Sequence, residues 1–317
     1  MAEPKWPTPS EVPKSSQGEP GIARLRARQE SPGFKEGTET QEVLQKIDFT
    51  LLRELFEKRA RKAGIEPGGI NFVEREGISD KGIGAAYNSV EDSLTINGRA
   101  IIEWNTEAAR VLTEVCHEET HASGHNDVQD EIGDILLQGV ENRRLIIKSG
   151  VAEIEEQQSN KKVVSKSTKF RWFNEGITDE LGFEIFCEYI QTQPLHDPKT
   201  GKKTEPEDYI SGYPLARLFV RKLTERIAEQ YGVSYDVAWG SVVHAYMTGT
   251  SFSSEEIRPL LDDVFHEKFA DRLERVNRNN DVISLSQVMR LFSDVYQISP
   301  SATFSGIWES FRRSTPS

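Results

Sequence analysis

Residues 117–121 read His-Glu-Glu-Thr-His. On a helix, two histidines four positions apart lie one turn apart on the same face, where both imidazoles can reach one Zn²⁺. The glutamate that follows the first histidine is then placed to take a proton from a water at that ion. The spacing therefore predicts His117 and His121 as metal ligands and Glu118 as a general base. A hydrolytic zinc site needs a third protein ligand and keeps its fourth position for water. Residues 172–181, Trp-Phe-Asn-Glu-Gly-Ile-Thr-Asp-Glu-Leu, offer one. On a helical wheel Glu175, Asp179, Gly182 and Phe186 share one side, while Phe173, Ile177, Leu181, Glu184 and Glu188 share the other. Glu175 is suited to be the third ligand. Asp179, one turn on, is suited to hold a histidine N–H and fix its tautomer. Asp127, beyond the helix break at Gly124, and His125, which needs the helix to continue past that glycine, remain alternative third ligands.

These residues require two helices whose polar faces meet. Across residues 106–122, Ala108, Val111, Leu112, Val115 and Ala122 fall within about 60° of one another on the wheel, and the histidine pair falls on the opposite side. Upstream, residues 43–63 carry a helical apolar period that Gly64 and Pro67-Gly68-Gly69 stop. Three strand candidates follow, Ile70–Arg75, Ile83–Tyr87 and Ser93–Asn97, the last two forming a hairpin across a turn-rich link. Residues 128–148 read as a further helix, with Val128, Ile132, Ile135, Leu136, Val140, Leu145 and Ile146 apolar. Residues 150–169 are polar and read as an exposed excursion. Beyond the turn-rich stretch Pro194–Asp208, helices are expected over 213–230, 235–248, 254–276 and 283–297.

His-Glu-x-x-His followed by Asn-Glu-Gly-x-x-Asp resembles the gluzincin metallopeptidases, the group that contains thermolysin and the aminopeptidase N-like enzymes. The resemblance covers two short blocks. It implies that His117, His121 and Glu175 hold one zinc ion per chain, that Glu118 activates water and that Asp179 supports the first histidine. It also implies an α+β fold: a zincin-like catalytic subdomain, with a small mixed sheet and an active-site helix, followed by an all-helical subdomain. On this reading residues 1–43 are a disordered segment, 44–195 the catalytic subdomain and 196–317 the helical one. Between His121 and Glu175 lie 53 residues, a longer separation than in the best-known members. By the same analogy Ser93–Asn97 is the edge strand that pairs with an extended substrate, and Tyr209, Tyr213, His244 and Tyr246 are candidate oxyanion donors.

The implied activity is hydrolysis of peptide bonds in a peptide or protein substrate. An endopeptidase is favoured, because the Gly-Ala-Met-Glu-Asn exopeptidase signature is missing. Two other readings use the same first block. One is a metzincin-like or SprT-like protease with a different third ligand, for which Met247 is the candidate for the methionine turn. The other is a zinc-binding but inactive interaction module. A net charge of −12 argues against nucleic acid as a partner. No apolar run approaches the ~20 residues of a membrane span, and the N-terminus lacks the layout of a secretory signal, so the cytoplasm is the expected location. Two cysteines, Cys116 and Cys187, are too few for a disulfide framework. Cys116, although beside the first histidine, reads as a small buried apolar residue.

Overall fold

A computed structural model of the chain describes residues 47–66, 71–72, 76–79, 85–88, 93–97, 108–132, 142–159, 162–196, 201–250, 252, 257–265, 267–276 and 285–296. Within them lie eight α-helices: α1 (Phe49–Lys62), α2 (Ala108–Ser123), α3 (Arg171–Thr192), α4 (Pro214–Tyr231), α5 (Tyr235–Thr248), α6 (Arg258–Phe265), α7 (Phe269–Arg275) and α8 (Leu285–Tyr296). The strands are β1 (Glu76–Ser79), β2 (Ala85–Asn88), β3 (Ser93–Asn97), β4 (Asn126–Ile132), β5 (Asn142–Ser149), β6 (Ala152–Ser159) and β7 (Lys162–Lys169). The protein is mixed α+β. Among the described residues no helix is long and apolar enough to cross a membrane. The expected disordered segment 1–43 lies outside the described residues, as does most of the strand candidate 70–75.

The chain forms two compact units. One runs up to Asp127 and resumes over Thr178–Gly212; the other takes Val128–Ile177 and the chain from Tyr213 onward. In the first unit β3 lies at the centre of a three-stranded sheet, parallel to β1 and antiparallel to β2. This corrects the expectation that Ser93–Asn97 is a substrate-pairing edge: its two backbone sides are already taken by neighbouring strands. Helix α1 starts at Asp48, whose carboxylate accepts the Leu51 N–H at 3.0 Å. The Asp48 N–H in turn donates to the Tyr189 hydroxyl of α3 at 2.8 Å. Arg59 pairs with Glu184 at 3.2 Å, and Lys58 contacts Glu188. Under these polar ties Leu52 and Phe56 of α1, Leu112 and Val115 of α2, Leu94 of β3, and Phe186 and Tyr189 of α3 form one buried cluster. Burying each such side chain contributes about 1.5–3 kcal/mol.

The second unit contains a four-stranded sheet in the order β4-β5-β6-β7. Two expectations fail here. Residues 128–148, read as a helix, supply most of β4 and β5, and the excursion at 150–169 is the antiparallel pair β6 and β7. The physical reason is charge pairing across strands in place of an apolar face. Acidic β6 lies between basic β5 and β7, with Arg144 bound to Glu155 at 2.8 Å, Lys166 to Glu156 at 2.7 Å and Lys169 to Glu153 at 3.0 Å. Opposite charges across a pair of strands favour the pairing, and lysines on the edge strand β7 discourage further strand addition. The β5–β6 turn is Gly150-Val151, with Ser149 opposite Ala152. Gly150 has φ +58°, the positive value that the first central position of a II′ turn requires.

The helical part of this unit packs around aromatic rings. Phe173 at the start of α3 meets Phe219 of α4 and Phe252 edge-on, with centroids 6.3 and 5.0 Å away, and Phe219 meets Phe292 of α8 at 5.3 Å. Gly232 and Gly249 end α4 and α5 in left-handed conformation. The single helix expected over 254–276 is two, α6 and α7. Lys268 sits between them at φ +68°, outside the helical region.

Candidate metal centre

Helix α2 ends at Ser123, and the chain turns into β4 two residues after Gly124. Its buried surface is wider than the apolar stripe: Val111, Leu112 and Val115 are buried, but so are His117, Glu118, Glu119 and Thr120. The histidine face is therefore covered by protein, and what covers it is α3. A Cβ on Gly182 of α3 would lie 3.4 Å from both the Cys116 carbonyl oxygen and the His117 Cα. Glycine at that position lets the two helix backbones come close, and this brings the polar faces together.

The rings of His117 and His121 stand edge to face, centroids 5.0 Å apart. His117 Nδ1 lies 3.6 Å from Asp179 Oδ1, and His121 Nδ1 lies 3.4 Å from Thr178 Oγ1. Each contact is made on the Nδ1 side of its ring. On α3 Glu175 stands one turn ahead of Asp179. Donor atoms of His117, His121 and Glu175 lie within 4.8 Å of one another, the one such group among the described residues. Two imidazoles and a carboxylate are a donor set that could hold a metal ion. Neither Asp127 nor His125, the alternative third ligands, joins this group. Met247, the candidate for a methionine turn, is instead buried within α5.

Asp179 is fully buried. Its carboxylate accepts the Tyr209 hydroxyl at 2.9 Å on Oδ1 and the Ser211 hydroxyl on Oδ2. Burial pushes its pKa up, but His117, Ser211 and Tyr209 outweigh that and hold the group below its ordinary value. It is thus an anion beside His117. Cys116, in the core, has its thiol pushed well up by burial, then by Glu119 and Cys187, and it does not join the group of His117, His121 and Glu175.

Glu118 Oε2 accepts the backbone N–H of Tyr87 at 2.6 Å, and Glu114, one turn earlier, accepts that of Ala85. Ala85 and Tyr87 present their N–H groups on the same side of β2, the side away from β3. The two carboxylates thus cover the free edge of this strand, and Tyr87 orients Glu118. Burial and the neighbouring Glu118 push the Glu114 carboxyl above its ordinary value.

Sequence reasoning missed Thr178, Ser211 and the Tyr87 amide as partners of the site. The threonine had a readable signal, since it stands three residues after Glu175 on the same helix; the others come from distant segments. Among the expected oxyanion donors, Tyr209 has its hydroxyl on Asp179, and His244 and Tyr246 are buried within α5. Tyr213 precedes the first turn of α4. Comparisons with protein-family models, with curated proteins and with solved structures gave no match.

Proposed function

We propose that this protein is a zinc-dependent metallopeptidase. The observation that carries the proposal is the convergence of His117, His121 and Glu175, with Glu118 buried beside the first histidine and oriented by the Tyr87 amide. A Zn²⁺ held by His117, His121 and Glu175 would supply Lewis acidity for the attack of water on a peptide carbonyl. His117 and His121 present Nε2, because Asp179 and Thr178 engage their other nitrogens. Glu118 takes the proton of the attacking water and passes it to the leaving amine. The anionic Asp179 makes His117 a stronger donor. A peptide or protein is the substrate, and endopeptidase cleavage is the favoured mode.

The test compares wild type, Glu175→Ala and Glu118→Gln for zinc content and for hydrolysis of a quenched fluorescent peptide library. Wild type binds about one equivalent of zinc, and Glu175→Ala loses most of it, as a three-ligand protein site requires. Glu118→Gln keeps the metal and loses about 10²–10⁴-fold in rate. Hydrolysis that survives Glu118→Gln removes the mechanism; a well-folded wild type that takes up no zinc removes the metal site.

A further inference from the structure

The segment between α3 and α4 is tied down at several points among its described residues, 193–196 and 201–213. The Thr204 N–H donates to the Leu195 carbonyl at 2.8 Å, and His196 and Lys203 form an antiparallel bridge. A 3-10 turn, Pro206–Asp208, follows, in which Asp208 accepts the Glu205 N–H at 2.9 Å. This turn delivers Tyr209 inward. The Tyr209 ring packs edge-on against Phe183 and Phe186 of α3, both at 5.3 Å. Its hydroxyl would lie 3.3 Å from a Cβ on Gly182, so glycine there clears its path. The hydroxyl reaches the backbone oxygen of Asp179 at 3.1 Å as well as the carboxylate, and Ser211 closes on the second carboxylate oxygen.

A buried carboxylate with one histidine neighbour can rotate and meet that histidine with either oxygen. Here each oxygen has its own hydroxyl donor, on a segment that is braced at several points. The carboxylate plane is thereby fixed, and with it the ring that faces Oδ1. We infer that Tyr209 and Ser211 are positioning residues for the metal centre: they lock the Asp179 carboxylate and so set the orientation and tautomer of His117. The inference rests on the metal site proposed above. Tyr209, expected from sequence as a donor to substrate, acts instead behind the site.

The experiment measures zinc affinity by competition with a chromogenic chelator in wild type, Tyr209→Phe, Ser211→Ala and the double variant. Phenylalanine keeps the ring packing, and Ser211 is only half-buried, so circular dichroism should show each variant folded. Each single variant is expected to lose about 3–10-fold in affinity and the double variant about 10–100-fold, the range for partners behind metal ligands. Ser211→Thr, which retains a hydroxyl, should stay near wild type. Histidine ¹⁵N shifts of the zinc-free proteins give a second readout. His117 is expected to be protonated on Nδ1 in wild type and to become a mixture of tautomers in the double variant. Zinc affinity and His117 shifts both unchanged in the double variant overturn the inference and leave the zinc site standing. Absence of zinc binding in wild type overturns the metal site itself.

Discussion

Gly176 follows Glu175 directly and lies against the first turn of α4. A Cβ there would sit 2.6 Å from the Ala216 carbonyl oxygen, 2.8 Å from its carbon and 2.8 Å from a Val220 methyl. An ordinary contact begins near 3.4 Å, so Gly176→Ala demands a displacement of about 0.8 Å between α3 and α4. Two effects oppose each other. Alanine gains about 1 kcal/mol of helix propensity over glycine. Overpacking costs about 1–3 kcal/mol, and a clash with backbone, which cannot rotate away, belongs at the upper end. The expected net loss is about 1–2 kcal/mol, a Tm lower by roughly 2–8 °C. Close-packed interiors transmit such a displacement, and it acts on the turn that holds Glu175. Metal sites tolerate only about 0.2 Å in ligand distance, so zinc affinity should fall at least about tenfold. Scanning calorimetry and chelator competition measure the two effects. Gly212→Ala is the control, since nothing lies within 4 Å of a Cβ there. A Gly176→Ala protein with unchanged Tm and unchanged zinc affinity would refute the reasoning from close approach.

Three further outcomes are expected. Phe173→Ala removes a fully buried ring on the side of α3 away from Glu175, and urea unfolding should show a loss of about 3–5 kcal/mol. Zinc at a hundred times its Kd should stabilise the wild type by about 2.7 kcal/mol; a chelator should reverse this, and Glu175→Ala should show little of it. The Glu114 carboxyl, raised by burial and by Glu118, binds protons more readily folded than unfolded. Its contribution to stability is therefore present below its ordinary value of 4.5 and is lost as pH rises through the raised folded value. Glu114→Gln cannot titrate, so it should be more stable than wild type at pH 7, with the gap closing on acidification; urea midpoints that differ by a constant amount across pH would contradict this.

The site was more legible in the sequence than the fold around it. His117, Glu118, His121, Glu175 and Asp179 stand out because their residue types and helical spacing single them out within each helix, although the meeting of the two helices is not in that period. Helices α4 and α5 were equally readable, since an apolar period and terminal glycines mark them. The sheet of β4 to β7 was not. Its strands are held by side chains such as Glu153, Glu156, Lys166 and Lys169, and no alternation of apolar residues announces them. Ser149-Gly150, at the start of the supposed loop, was a turn signal. The roles of Tyr209 and Ser211 were hidden for a different reason. They act on a residue some 30 positions away, and a local period carries no information about such a contact.

The 53 residues between His121 and Glu175 also bear on how the centre is reached during folding. Closing a flexible loop of that length rather than one of 20 adds about 0.9 kcal/mol in lost chain entropy. The chain does not have to close it as free coil. The hairpins β5–β6 and β6–β7 join neighbouring segments, and hairpins form within about 1–10 μs. Once they stand, they shorten the path between the end of α2 and the start of α3. Nucleation of this polar sheet thus lowers the chain entropy still to be lost when the segments carrying His121 and Glu175 come together.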